Sequence, residues 1–518
     1  MKKFLFLAVA AFGFAACAEK GLDNSPEQNG ELEQSYMAIT LAADDMTTKA
    51  TDGKYEEGLA TERKVESAYV FFFKDGAAFP VAFDGTTSTN SGSKNYLKVE
   101  LEGQDGAMNN VSDVKDAVLI LQNYKGEYPN QIVAVLNWTP TKSYTLSELK
   151  TKISSLGNDT DGYVMSNAVY ADNAGQTIDA VGLTIANIGK TEKAALENPV
   201  TIHVERVAAK VVFTAASNGK FAVEKSIDGK PIYAQIKGFE LYNDYQESWL
   251  IKRIDPTWEV GFNWNDPYWF RSYWAQSLGK AFEENTFAWD TDNTALGGYT
   301  YCGENTRTWT ANSDVRTKVV VKAQLVDADD KPVEVVNWYG KDYINESQLK
   351  TVVANTLKNT YFSGDASAYV GLTPDDIKCV ARPVTAERAY EVYFQLSETG
   401  VAKDWNKYEG GKYSEMSDDA VNSALAAVQP ALVYKGGMTY YWTEIKHLGT
   451  KDTAAEYGVV RNHVYKVNIT DITGYGTPIY NGATDFINLE KPQDIVTYVS
   501  AQINILSWRL VEHNYELK

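Results

Sequence analysis

The chain has 518 residues and a formal charge of −19, from 68 Asp and Glu against 49 Lys and Arg. That balance argues against nucleic acid and against electrostatic adhesion to anionic lipid. Three cysteines in so long a chain make no disulfide framework, and 33 Tyr, 12 Trp and 37 Gly suit a β-rich extracellular protein of two or three domains.

Residues 1–17, MKKFLFLAVAAFGFAAC, begin with Lys2 and Lys3, continue with an apolar run from Phe4 to Phe14, and close with Ala15 and Ala16 before Cys17. This is a secretory signal, too short to span a bilayer as a helix. A polar spacer follows. Met37, Ile39, Leu41 and Ala43 then alternate with Ala38, Thr40 and Ala42, the period-2 pattern of a strand. Directly behind it lies an unpatterned polar linker carrying Lys49, Lys54, Arg63 and Lys64, open to trypsin-like cleavage. A lone apolar strand between polar linkers is not stable alone, so a groove of the following domain must hold it.

Strand signals recur over Ser67 to Phe73, Ala117 to Asn123, Gln131 to Pro140 and Val200 to Ala215, with one helix opened by a Thr145/Glu148 capping box. These predict a β-sandwich ending near residue 216. A second set runs through Tyr233 to Asp244, Lys318 to Asp327, Ala389 to Leu396, Met438 to Ile445 and Val464 to Ile472. Two further helices are expected here, one opened by Asn345 and Gln348 and reaching about Lys358, one opened by Ser417 and stopping before Pro430. The stretch 473–494 is rich in Gly, Pro and Asn and reads as a connecting arm.

At the end of the chain Val499, Ala501, Ile503 and Ile505 alternate with Ser500, Gln502 and Asn504. The phase slips at Leu506, Trp508 and Leu510, and Val511, His513, Tyr515 and Leu517 alternate again. Pattern alone allows two readings: these strands complete the chain's own sheet, or they pair with another molecule.

No catalytic or metal-ligating arrangement stands out. The four histidines (His203, His447, His463, His513) lack chelating spacing, and no GxSxG, HExxH or P-loop pattern occurs. Asp159, Asp161 and Gly162 lack the closing Glu of a calcium loop and read as a turn. No cofactor and no enzymatic activity are expected. A crowd of aromatics between Trp249 and Trp274, including Trp258, Trp264, Trp269 and Trp274, fits either a glycan-binding surface or a local core or subunit contact. Cys302 and Cys379 could pair in an oxidising compartment, which the sequence leaves open.

Several of these stretches resemble one family. The AAC ending at Cys17 is similar to a bacterial lipobox, with Phe14 where Leu is usual. QIVAVLNWTP, YVMSN (163–167, similar to a turn of that family), VERVAAKVVF, GVVRNHVYKVNI (458–469) and VSAQINILSW (499–508) follow in the family's order. The chain thus resembles the fimbrillins of Bacteroidia, especially the minor-fimbria shaft subunit type, with 255–312 the least matched part. The resemblance implies a mainly β protein of two β-sandwich (transthyretin-like) domains with a few short helices. It divides as signal peptide 1–17, propeptide with a placeholder strand 18–49, N-terminal domain 50–216, C-terminal domain 217–474, and arm with donor strands 475–518.

It further implies a lipoprotein precursor anchored at the outer membrane through Cys17 and cut by a trypsin-like protease at Lys49–Ala50, with Arg63 the second choice. The placeholder side chains would be Met37, Ile39, Leu41 and Ala43. The donor side chains would be Val499, Ala501, Ile503, Ile505, Trp508, Val511, Tyr515 and Leu517, entering the emptied groove of another subunit. The implied function is a structural shaft subunit of a surface fimbria with a role in adhesion, the alternative being a glycan-binding tip adhesin or an anchor of the same family. Partners would be other fimbrillin subunits.

Overall fold

The computed structural model describes residues 32–42, 58–83, 93–99, 115–124, 126–171, 177–254, 276–279, 289–290, 293–306, 315–382, 390–447, 456–482, 499–506 and 511–513. They form a mainly β protein with a few short helices.

Seven strands make the main path of the first sheet, in the order Ala77–Ala78, Ala68–Lys74, Gln131–Leu136, Met165–Asn167, Val200–Arg206, Leu32–Ala42, Lys115–Tyr124. Alternation explains how it is covered. Val70 and Phe72 point into one core with Ile132, Ala134, Leu119, Leu121 and Ile202. Phe71 and Phe73 point the other way, into a second core with Val133, Val135, Tyr144, Leu146, Leu149, Leu250 and Ile251. The helix Leu146–Lys150 lies on this second face, and the expected capping box is present: the Thr145 side chain accepts from Glu148 N, and Glu148 accepts from Thr145 N. YVMSN is not a turn. Met165–Asn167 is a strand hydrogen-bonded on both sides, because Asn137, at φ 56°, already turns the chain just after Gln131–Leu136 and holds Tyr163 O through its amide.

The stretch expected to close the first sandwich is divided. Val200–Arg206 stays in the first sheet, and Val207 and Ala208 carry the chain across. Ala209–Ala215 runs parallel to Val464–Ile472 in another sheet, so the sheets change hands before residue 216. That second sheet has the order Tyr299–Cys302, Ala209–Ala215, Val464–Ile472, Val499–Leu506, Val511–His513. It faces a further five-stranded sheet built on Lys230–Tyr242, Lys318–Val326 and Met438–Glu444. Val211, Phe213, Tyr465 and Val467 from one and Phe221, Phe239, Val321 and Tyr441 from the other share one core, a β-sandwich held by apolar burial between two sheets.

An insertion between Lys318–Val326 and Met438–Glu444 builds its own core. Val335–Trp338, Glu391–Leu396 and Ala431–Tyr434 pair in one sheet, and helices Asn345–Leu357 and Asp418–Ala426 cover it with Leu349, Val353, Val421 and Leu425. Both helices start where expected. The Asn345 side chain accepts from Ser347 N and Gln348 N, and that of Ser417 accepts from Ala420 N.

Candidate functional site

The N-terminal strand lies inside the first sheet. On one side Leu32–Leu41 runs antiparallel to Lys115–Tyr124, with Met37 opposite Leu119 and Ile39 opposite Ala117. On the other side Ile39–Ala42 runs parallel to Val200–His203, and Tyr36 exchanges two backbone hydrogen bonds with Gly189 (2.8 and 2.9 Å). Met37, Ile39 and Leu41 are 0–5 % exposed within the core of this sheet. The groove demanded by the isolated alternation therefore exists, and its walls are two strands. Ala43 lies outside the described residues.

One end of this slot is polar. Ser35, buried, donates to Asn123 Oδ1 at 2.8 Å, and Asn123 is itself fully buried. Two residues earlier, Glu33 Oε1 accepts from Asn123 Nδ2 (3.3 Å), Gly126 N (3.1 Å) and the Tyr128 hydroxyl (2.8 Å). The Gly126 amide, then Tyr128, hold the Glu33 carboxyl below its usual range, and Glu33 in turn pushes the Tyr128 hydroxyl up.

If the N-terminal strand fills its groove, the sequence reading expects the C-terminal strands to make few contacts. Their backbone does otherwise. Val499–Leu506 runs antiparallel along Val464–Ile472, and Val511–His513 pairs back onto it at the sheet edge. The reason is that Val464–Ile472, paired on its other side with Ala209–Ala215, offers a free row of donors and acceptors. Tyr515 and Leu517 lie outside the described residues, as do Trp508, Cys17, Lys49, Ala50, Trp258, Trp264, Trp269 and Trp274. Arg63 is described. It ends the short helix Thr61–Arg63, between buried Glu62 and buried Val65.

Two charged nodes join the first sheet to the sandwich. In the first, the Glu62 carboxylate accepts from Lys210 Nζ (2.5 Å), the Tyr301 hydroxyl (2.5 Å) and Leu59 N (2.8 Å), while Glu62 O accepts from Arg206 Nε (2.6 Å). Burial brings the Arg206 guanidinium down to about 10, and burial followed by the bond to Glu62 raises the Tyr301 hydroxyl. In the second, Arg461 Nη2 donates to Glu304 (2.7 Å), Trp249 O (2.7 Å) and Ser248 Oγ (3.1 Å). Glu205 and Lys252, both buried, lie 3.5 Å apart beside it, and burial lifts the Glu205 carboxyl to about 7. Asn462, at φ 58°, links the nodes by accepting from Arg206.

The family resemblance at 458–469 thus falls on residues that fasten the fold. Arg461 and Asn462 tie the sheets together, and the Tyr465 hydroxyl accepts from Val460 N. Glu62 and Glu33 carried no signal in the sequence, since an acidic side chain in a polar stretch is ordinarily solvated, whereas Lys210 and Asn123 stand in apolar strand stretches, and that contrast is the signal that could have found them. Asp159, Asp161 and Gly162 form a turn in which Asn158 Oδ1 accepts from two backbone amides. Cys302 and Cys379 are both free. Among the described residues no group of His, Cys, Asp and Glu is arranged to hold a metal.

Residues 432–514 match the family profile described as "Major fimbrial subunit protein type IV, Fimbrillin, C-terminal". This segment is similar to the C-terminal part of the fimbrillins. The fimbrillin segment takes in Val464–Ile472 with its Arg461–Asn462 approach and both terminal strands. A fimbrial subunit role at the cell surface comes with it at the level of the family. Solved structures that are similar include a fimbrilin from Porphyromonas gingivalis, at 13% identity and TM-score 0.37 over 92% of this chain and 98% of that one. A cell adhesion protein from Parabacteroides distasonis, described as putative, is similar at 13% identity and TM-score 0.36 over 92% and 100%. The tip fimbrial protein Mfa3 from P. gingivalis, with C-terminal truncation, follows at 13% and 0.29 over 92% and 100%. No curated protein matches this chain.

Proposed function

We propose that the chain is a structural, shaft-type subunit of a surface fimbria, and that its N-terminal strand is a placeholder to be exchanged for the C-terminal strand of another copy. The observation that carries this reading is the position of Leu32–Ala42 between two strands, with a lysine- and arginine-bearing linker behind it. Its three large apolar side chains contribute about 5–9 kcal/mol at ~1.5–3 kcal/mol each. While it stays, the slot is closed to any other strand. Once it is cut and leaves, two rows of backbone groups and one face of a core are exposed, and only another strand satisfies both.

The C-terminal strands suit the incoming role. They are the last two strands at one side of their sheet, so the pair is joined to it by a single ladder, that of Val499–Leu506 with Val464–Ile472. The sixteen residues 483–498 that precede them span at most roughly 55 Å when extended. Slot and donor are different surfaces of one molecule, so the contact is head-to-tail and yields a filament unless the geometry closes it. The precursor reaches the outer membrane as a lipoprotein modified at Cys17 and is cut between Lys49 and Ala50. Arg63 is the poorer site, because a protease binds an extended segment and Arg63 sits in a helical turn beside buried Glu62.

Purified precursor tests this directly. It stays monomeric until treated with a trypsin-like protease, then forms filaments whose N-terminal residue is Ala50. Removing Tyr498 to Leu517 leaves a folded, processed monomer. Filaments growing from that truncated protein, or from uncut precursor, would defeat the proposal.

A further inference from the structure

We infer that the polar end of the slot sets the register of the incoming strand, and that the segment it selects in a second copy of this chain is Gln502 to Leu510. The inference rests on the exchange reading above and adds which residues go where.

The present occupant displays, at alternate positions, Glu33, Ser35, Met37, Ile39 and Leu41. The slot answers with hydrogen-bonding groups at the first two positions and apolar walls at the last three. Asn123 and Tyr128 serve Glu33, and Asn123 serves Ser35. Leu119, Leu121, Val200 and Ile202 pack in the same core as the apolar three. Asn123 is fully buried, so an occupant that set a methyl group where Ser35 stands would leave its side-chain oxygen without that donor. Direction is fixed as well. One wall pairs antiparallel and the other parallel, so a strand that keeps both ladders runs the same way as Leu32–Ala42.

Any occupant must therefore read polar, polar, apolar, apolar, apolar at alternate residues from its N-terminal end. When this template slides along Thr497 to Leu517, one frame fits: Gln502, Asn504, Leu506, Trp508, Leu510. The frame suggested by the more regular alternation, Thr497, Val499, Ala501, Ile503, Ile505, sets Val499 against Asn123 and small Ala501 in place of Met37. The frame beginning at Ser507 puts His513 in place of Ile39. Trp508 is larger than Ile39, and the residue opposite it would be Ala117, the smallest side chain on that wall.

A second observation agrees. Within one chain Ile505 pairs with Val511, leaving Leu506, Ser507, Trp508, Arg509 and Leu510 between the paired residues. Of the residues that favour turns, Gly, Pro, Asn, Asp and Ser, these five include only Ser507, and they alternate apolar with polar as a strand does. The sequence between the two paired strands is thus itself strand sequence, and an extended occupant of the slot uses it as such.

Paired cysteines read the register. In the predicted frame residue 506 takes the place of Met37, opposite Leu119, whereas in the rival frame residue 501 does, and neither carries the polar contacts that set the register. Two full-length proteins carrying Cys379→Ser are compared after processing, one with Leu119→Cys and Leu506→Cys, the other with Leu119→Cys and Ala501→Cys. The first is expected to give a ladder of linked chains on a non-reducing gel and the second none, with both uncut precursors remaining single chains because the slot is full. A ladder from the 501 pair alone overturns the register while leaving strand exchange standing. Processed protein that links between chains through neither pair overturns both. Folding of each variant is checked first on the uncut precursor, where a native melting transition shows that Leu119→Cys is tolerated.

Discussion

Glu62 offers the sharpest test of how the first sheet is fastened to the sandwich. Its carboxylate is fully buried and faces Lys210, whose side chain is 9% exposed, at 2.5 Å. Replacing it with Ala removes the acceptor for Lys210, Tyr301 and Leu59 N together and leaves a buried ammonium without its carboxylate. Breaking a buried pair from one side costs about 3–5 kcal/mol. The Tyr299 ring, 4.0 Å from Lys210 Nζ, offers partial compensation and points to the lower end. For a folding unit of 150–250 residues a loss of ~3 kcal/mol lowers Tm by on the order of 10 °C. Differential scanning calorimetry and urea unfolding of the uncut, monomeric precursor measure it. A Glu62→Ala protein within about 1 kcal/mol of the parent would refute the reasoning. The same number bears on processing. A cut after Lys49 keeps Glu62 in the mature subunit, whereas a cut after Arg63 discards it and carries the same penalty.

Arg461→Met leaves the Glu304 carboxylate buried without its guanidinium, and urea unfolding is expected to show a loss of about 3–5 kcal/mol; a change under ~1 kcal/mol would mean Ser248 and the backbone suffice. Glu205 gives the junction a pH dependence. Its folded carboxyl, raised by burial to about 7, keeps a proton that the unfolded chain releases near 4.5, so its contribution falls as pH rises through that window. Glu205→Gln should flatten this part of a stability–pH curve, and an unchanged slope would assign it to other groups. Burial pushes the Cys379 thiol up to about 12 and Cys302 well above its ordinary value. Neither should react with iodoacetamide at pH 8 until urea is added, and rapid native labelling of Cys302 would contradict its burial.

What could be read from the sequence was governed by periodicity. The alternation Met37, Ile39, Leu41 between polar stretches identified a strand in need of walls, and the structure supplies them in Lys115–Tyr124 and Val200–Arg206. The helices opened by Thr145, Asn345 and Ser417 were legible because a cap is a local event. The division of Val200–Ala215 was not, since both halves alternate alike and only long-range pairing sends Ala209–Ala215 to a different sheet. The pairing of Val499–Leu506 was left open for the same reason: a strand pattern states that a partner is needed, not which one. The charged nodes were not legible because Glu62 and Lys210 lie 148 residues apart, and a lysine within an apolar strand does not name its partner.

The central claim is that the place of Leu32–Ala42 is filled, in the assembled state, by the C-terminal strand of another copy. A cryo-electron-microscopy reconstruction of filaments grown from processed protein tests it at the slot between Lys115–Tyr124 and Val200–Arg206. The account predicts density there that is continuous with the C-terminal arm of the neighbouring subunit, and Val464–Ile472 released from its own Val499–Leu506. Density for the subunit's own Leu32–Ala42 in that slot, with Val499–Leu506 still paired along Val464–Ile472 of the same chain, would contradict it.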